Sequence, residues 1–220
     1  MLDILYEDNH LIAVNKKSGD IVQGDKTGDA PLSDYVKVYI KKKHKKPGEV
    51  FLGTIHRLDR PTSGIVLYAR TSKALSRMNE QFRNKEVQKT YWAVVDKAPP
   101  KKSGILENKL QKNQKQNKSY VTKGQEGKQA ILTYKLLKKL DHFYHLEIKP
   151  KTGRHHQIRV QLAHIGCIIK GDLKYGAKRS NKDASIHLLA QKVTFTHPVK
   201  KEPITIVAAA PKESVWEACK

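Results

Sequence analysis

The sequence predicts an α+β protein built on a mixed, largely antiparallel central sheet with flanking helices. Apolar runs of strand length outnumber stretches of helical spacing, and most are joined by short turns marked by Pro, Gly, Asn or Asp. No internal repeat and no linker-like composition interrupts the 220 residues. They are therefore expected to form a single domain over residues 1–220, long enough to bury a sizeable core.

Ile4 to Tyr6 and Leu11 to Val14 read as two short strands about an Asp8-Asn9 turn. Pro31 suits the first turn of a helix in which Leu32, Val36 and Ile40 recur at helical spacing to about Lys43, before Pro47-Gly48. Ile65 to Ala69 is a short apolar run, read as a buried strand. Thr71 or Ser72 then caps a second helix with Leu75, Met78 and Phe82 on its apolar face. Val87 to Val95 is β-rich, and Pro99-Pro100 ends it. Residues 101–129 are the least regular stretch. Lys109 to Lys118 is basic, amide-rich and almost without apolar residues, which fits either a disordered surface loop or a basic flap. Strands follow at about Ala130 to Leu137 and Phe143 to Ile148. A third helix is expected after Thr152-Gly153, with Ile158, Leu162 and Ile165 as its stripe and Gly166 as its C′ residue. Arg154, His155 and Arg159 take its other side. Strands at about Ser185 to Phe195 and Ile204 to Ala208, and a short C-terminal helix, complete the pattern.

Charge says nothing about fold but much about partners. Lys and Arg total 43 against 21 Asp and Glu, a net charge of +22 and a pI near 9.9. Such a chain attracts polyanions, nucleic acid first. An anionic membrane is the competitor, but no basic amphipathic helix with a bulky apolar face is present. Cys167 and Cys219 make neither a disulfide framework nor a zinc spacing. The N-terminus has no signal-peptide pattern, and no run approaches the ~18 apolar residues of a membrane span. A soluble, cytoplasmic, monomeric protein is expected.

The most informative stretch is Thr54-Ile-His-Arg-Leu-Asp-Arg-Pro-Thr-Ser-Gly-Ile-Val-Leu-Tyr-Ala69. It sets the Asp59 carboxylate between Arg57 and Arg60 on a loop broken by Pro61 and Gly64, just before a buried strand. Rigid strands carrying polar loops are where catalytic groups are commonly placed. Most Asp–Arg neighbours are surface pairs of little weight, so composition alone gives only a modest functional expectation.

His56-Arg-Leu-Asp-Arg-Pro-Thr-Ser-Gly64 closely resembles the catalytic loop of the RluA-type RNA pseudouridine synthases. Two further segments match that family in order. Tyr91, in Lys89-Thr-Tyr-Trp-Ala-Val94, stands at the position of its active-site tyrosine. Lys151-Thr-Gly-Arg-His-His-Gln-Ile-Arg-Val160, with Gly171-Asp172 and Tyr175-Gly176 beyond it, is similar to its C-terminal motif. The chain departs from the family at His155, where Thr is usual, at Gln161, where His is frequent, and at the Asn15-Lys-Lys-Ser-Gly19 turn. The resemblance implies the pseudouridine synthase fold, starting at residue 1 without the N-terminal S4-type RNA-binding domain of many relatives. It also implies Asp59 as the essential residue, Tyr91 as the ring that packs on the target base, and Arg159 as the partner that keeps Asp59 ionised. His56, Arg57, Arg60, Thr62, Ser63, Arg154, His155 and His156 are expected toward RNA, and Lys112, Lys115 and Lys118 toward its phosphates.

The implied reaction isomerises a uridine in ribosomal or transfer RNA after the base leaves its stack. It needs a carboxylate but no redox cofactor, nucleotide or energy source, and no phosphate cradle or dinucleotide fingerprint is found. His56, His155, His156, His164 and Asp59 invite a metal reading. No two of the histidines stand four residues apart, however, so no metal is expected. Two other classes are compatible with the residues: a non-catalytic RNA-binding protein on the same scaffold, and a different RNA enzyme, such as a nuclease using Asp59 and His56.

Overall fold

Alternate residues of the segment Leu11–Lys16 enter two different cores, and that alternation organises the N-terminal part of the protein. In the computed structural model, which describes residues 2–24 and 28–219, the chain divides into two compact units. One is Met1–Gln88 with Ala190–Ala209, and the other is Lys89–Leu189 with Ala210–Lys220. The first unit opens with β1 (Ile4–Glu7), β2 (Leu11–Lys16), α1 (Leu32–Lys43), β3 (Gly53–Thr54), β4 (Ser63–Ala69) and α2 (Ser72–Arg83). The second follows with β5 (Gln88–Val95), β6 (Ser103–Asn113), β7 (Lys118–Thr122), β8 (Lys128–Lys139), β9 (Tyr144–Pro150), α3 (Gln157–His164) and a 3-10 turn at Leu173–Tyr175. β10 (Leu188–Thr196) and β11 (Pro203–Val207) lead through the first unit, and α4 (Ser214–Glu217) lies in the second. The fold is α+β, as expected, with strands dominating.

In the first unit the sheet runs β1-β2-β4-β10, with β11 beside β10 and β3 beside β4. Leu11, Ala13, Ile65, Leu67 and Ala69 face α2 through Ala74 and Met78. Ile12, Val14, Val66 and Tyr68 face α1 through Val36 and Ile40. With a helix on each face, β4 is buried at every residue, and this is why it reads as an uninterrupted apolar run. Thr71 caps α2 as its residue type suggests, its Oγ1 accepting the Ala74 N–H at 3.2 Å. The Asp8 turn is held in the same way, Oδ1 accepting from His10 N–H at 2.8 Å and Leu11 N–H at 2.7 Å.

The second unit is an antiparallel sheet in the order β5-β9-β8-β6-β7. α3 covers one face, placing Ile158 and Leu162 on Ala93, Leu132, Tyr134, Leu146 and Ile148. Residues 101–129 are not a disordered loop. They form β6, β7 and the start of β8, with Leu110 opposite both Val121 and Lys128. The pattern hid this because β7 is a sheet edge and β6 shows solvent a polar face, where charged side chains are normal on a strand. α3 starts later than its sequence suggests. The Gln157 side chain accepts from Thr152 Oγ1 and Arg154 N–H and donates to the Ile131 carbonyl, so Arg154 and His155 precede the helix and only Arg159 rides on it. Gly166 ends it at φ +80°, the left-handed conformation expected of a C′ glycine. Among the described residues no helix is long and apolar enough to cross a membrane.

Candidate active site

Asp59 sits half-buried in the irregular segment between β3 and β4. The Thr62 N–H donates to the Asp59 carbonyl at 3.0 Å and closes a turn over Arg60-Pro61. A second chain segment grips this turn. Gly19 N–H donates to the Arg60 carbonyl at 2.9 Å, and Ser18 Oγ donates to the Pro61 carbonyl at 3.1 Å. Between them lies Lys16, 1% exposed, whose Nζ donates to the carbonyls of Lys17, Asp20 and Arg60 at 2.9, 2.8 and 3.0 Å. Three bonds use all three protons of an ammonium group. Burial pushes Lys16 down to about 8, against the opposing pull of Asp20 and Asp59. Just past the turn, Gly64 has φ +111° and lies so close to β10 that a Cβ there would stand 2.3 Å from the Ala190 carbonyl oxygen. The carboxylate therefore rides on a loop whose backbone is fixed from both sides.

The neighbours named from sequence divide in character. Arg57 is exposed. Arg60 is exposed too, and its guanidinium reaches Asp29 at 2.8 Å. His56 Nε2 accepts the Leu67 N–H at 3.2 Å, and its ring stacks on Phe82 at 5.4 Å. Thr62 and Ser63 are buried, and Thr62 Oγ1 has no hydrogen-bond partner among the described residues.

In the second unit Tyr91 lies on β5 opposite Ile148, half-buried against the α3 core. Arg159 projects from α3 and meets Asp172 in a two-point ion pair, Nε to Oδ2 at 2.7 Å and Nη2 to Oδ1 at 2.8 Å. The planar fork suits this geometry, which a Lys could not reproduce. The guanidinium carbon also stands 5.1 Å from the centroid of Tyr175.

Tyr175 links the remaining residues. Its hydroxyl accepts the Ser119 N–H at 2.9 Å and lies 2.9 Å from His156 Nδ1. Burial, then the charges of Arg159 and neighbouring groups including Lys174 and Lys112, push His156 down to about 2. His156 is accordingly neutral, and the tyrosine hydroxyl also donates to the Ser119 carbonyl at 3.2 Å. His156 is held at φ 54°, its ring 3.8 Å from that of His155, which meets Ser119 Oγ through Nδ1 at 2.8 Å. Lys118 places Nζ 5.1 Å from the Tyr175 ring, whereas Lys115 lies in the exposed turn between β6 and β7. Arg154 Nε donates to the Gln129 carbonyl at 2.9 Å. Of the residues named from sequence, His155, His156, Arg159 and Lys118 thus gather about one tyrosine.

The sequence reading passed over Lys16, Asp172, Ser119 and Tyr175 as site residues. For Lys16 a signal existed: strand alternation puts it on the face of Ile12 and Val14, where a charge must have partners. Asp172 and Tyr175 stand in the Gly171-Asp172 and Tyr175-Gly176 steps of the C-terminal motif, but the pairing of Asp172 with Arg159, 13 residues away, leaves no local mark. Among the described residues no three His, Cys, Asp or Glu side chains converge as a metal-ligand set.

Comparison with known proteins gives one answer at several levels. The profile of the family described as RNA pseudouridylate synthase matches residues 10–164. The ribosomal large subunit pseudouridine synthase C of Buchnera aphidicola subsp. Schizaphis graminum is 35% identical over 214 residues, covering 94% of this chain and 66% of that protein. The tRNA pseudouridine synthase C of Vibrio cholerae is 30% identical over 236 residues, covering 99% and 93% respectively. The chain thus spans just under two thirds of the length of the first of these relatives. In fold it is similar to human RNA Pseudouridylate Synthase Domain Containing 4, with a TM-score of 0.81 at 24% identity over 97% of this chain and 90% of that one. Motifs, profile and relatives agree: the chain belongs to the RNA pseudouridylate synthase family, in the RluA-type group whose three motifs it carries.

Proposed function

We propose that this chain converts a uridine of structured RNA to pseudouridine, with Asp59 as the essential carboxylate. The observation that supports this most directly is the fixed loop. A half-buried carboxylate is carried on a turn whose Arg60 carbonyl is held by a buried ammonium group, at the position of the family's essential aspartate. In the reaction the N1–C1′ bond breaks, the uracil ring turns, and C5 bonds to C1′. The C5 proton leaves and N1 gains one, so the product is an isomer. The routes open to Asp59 are attack on C1′, addition to the base, or proton removal from the sugar, and the ionised form serves each.

Tyr91 and Arg159 take their roles from the motifs in which they stand. Tyr91 supplies a ring for the displaced base, and stacking of this kind recovers roughly 1–3 kcal/mol of the cost of extrusion. Arg159, oriented by Asp172, provides fixed positive charge. Exposed cations such as Arg57, Lys112 and Lys115 hold phosphates with little regard to sequence. Relatives are named for ribosomal RNA and for transfer RNA, and either is the proposed substrate here.

The test is tritium release from [5-³H]uridine-labelled cellular RNA by the wild type and by Asp59→Asn. Release by the wild type alone, with RNA affinity unchanged in the variant, is the expected result. RNA binding without release would favour a non-catalytic binder, and strand cleavage would favour a nuclease. Mapping pseudouridines in a strain lacking the gene then identifies the RNA.

A further inference from the structure

The second unit holds a cavity of about 270 Å³ lined by none of Asp59, Tyr91 or Arg159. It lies between the β7 strand and α3. Val121 and Val160 line it on the apolar side, Tyr120 and Tyr175 supply rings, and Lys118 and His164 supply polar groups. It is open to solvent and just under the roughly 300 Å³ at which pockets for drug-sized ligands begin, room for a base laid against its wall with the sugar and phosphate outside.

Two features suggest construction for a ligand. The Lys118 ammonium stands between the rings, 5.3 Å from the centroid of Tyr120 and 5.1 Å from that of Tyr175. Tyr175 is buried and its hydroxyl is anchored to the Ser119 backbone and to His156, so one wall is rigid. Tyr120 is 41% exposed, yet it too is restrained: its hydroxyl donates to Gln116 Oε1 in the adjoining turn. Lys174 Nζ in turn donates to the Asn117 carbonyl at 3.1 Å. An exposed ring fixed in advance loses little freedom on stacking, and that saving goes into affinity. No carboxylate lines the cavity, while Lys118 lines it and Lys112 and Lys174 act on neighbouring His156. These groups suit an anion with an aromatic face.

We propose that this cavity binds one unpaired nucleotide of the RNA substrate other than the uridine that reacts, its base stacked on Tyr120 and its phosphate on Lys118 and His164. The inference rests on the reading of the chain as an RNA-modifying enzyme for the source of that nucleotide, and on the cavity for the rest.

The experiment uses uridine 5′-monophosphate and a ten-nucleotide uridine-containing RNA as probes. The monophosphate is expected to shift the methyl resonances of Val121, Val160 and Ala163. Tyr120→Ala is expected to weaken affinity for the oligonucleotide about tenfold, the scale of one lost stack, and Tyr120→Phe to restore most of it. Lys118→Gln should lower the slope of log affinity against log salt by about 0.7. Unmoved methyl resonances, or wild-type affinity in Tyr120→Ala, would overturn the proposal. Tritium release by the wild type is scored separately. Loss of affinity in Tyr120→Ala without release by the wild type would remove the enzyme and keep the subsite. Release with unaltered Tyr120→Ala affinity would do the reverse.

Discussion

Asp172 grips Arg159 at two points, and both side chains are buried, 1% and 5% exposed. Arg159 is thereby fixed in orientation before any RNA arrives. Taking two charges out of water is costly, so the pair is better understood as orientation than as net stability. Removing one partner exposes that cost. Asp172→Ala is expected to destabilise the protein by about 3–5 kcal/mol, because the guanidinium stays buried with the Asp172 carboxylate gone. Asp172→Leu combined with Arg159→Met should lose less than either single change, though without activity. Urea unfolding of the singles and the double closes the cycle. Additive losses would show that the two residues act independently.

Lys16 makes a different kind of prediction, because it has no assigned contact with substrate. Lys16→Met keeps the stem and deletes the three donors that hold the Lys17, Asp20 and Arg60 carbonyls. The turn under Asp59 can then drift, and a displacement of about 1 Å is enough to cost on the order of a hundredfold in turnover. RNA affinity should change little. Hydrogen exchange at the Thr62 N–H, which now donates to the Asp59 carbonyl, should speed up in the variant. A variant with normal exchange and normal turnover would mean that Gly19 and Ser18 suffice to hold the turn.

Some of this could be read from the chain and some could not, for physical reasons. β4 and α2 were legible because β4 is buried on both faces and α2 has a capping threonine before an apolar stripe. The Asp59 loop was legible because turn-forming residues and charges fall in a short fixed order. β6 and β7 were not, since their burial rests on single residues such as Leu110 and Ser119 among exposed polar ones. Asp172 takes its meaning from Arg159, 13 residues away, and the hold of Lys16 on the Asp59 turn comes from the Arg60 carbonyl, 44 residues away. Local pattern does not carry that information.

Gly64 tests how tightly the loop is fastened to the sheet. A methyl group at φ +111° is strained by itself, and here it would also stand 2.3 Å from the Ala190 carbonyl oxygen. Gly64→Ala is expected to cost more than about 2 kcal/mol and to lower turnover even in the fraction that folds. Gly166→Ala is the control: φ is +80°, but open space surrounds its missing Cβ. It should cost only about 1 kcal/mol, the strain of the left-handed backbone, and leave turnover intact. Thermal melts and single-turnover rates separate the two. Equal losses at both glycines would mean that backbone strain alone accounts for Gly64.

The response to acid should differ between the units. His145 and His187, each 1% exposed, are pushed by burial down to about 4, and His156 lower still. Glu213 stands 3.1 Å from His187 Nε2 but is itself 41% exposed on its side chain, too well solvated to offset that burial. These three histidines all belong to the second unit. Unfolded, a histidine titrates near 6.5, so between that value and about 4 the unfolded chain binds more protons than the folded one. Stability from these groups is present in full above pH 6.5 and falls as the pH drops, by on the order of 2 kcal/mol for each histidine. In the first unit, burial opposes but does not overcome the hydrogen bonds from Lys43, His44 and Tyr39, which hold Glu7 down to about 2. Its contribution is lost later, as the pH falls from about 4.5 toward 2. Trp92 and Trp216 both lie in the second unit, so tryptophan fluorescence follows that unit alone. The expected result is a fluorescence change between pH 6.5 and 4 that precedes loss of hydrogen-exchange protection in β4. His187→Gln should move the fluorescence change to lower pH. A β4 signal that fails first, or a fluorescence midpoint unaffected by His187→Gln, would show that the buried histidines do not set the acid limit.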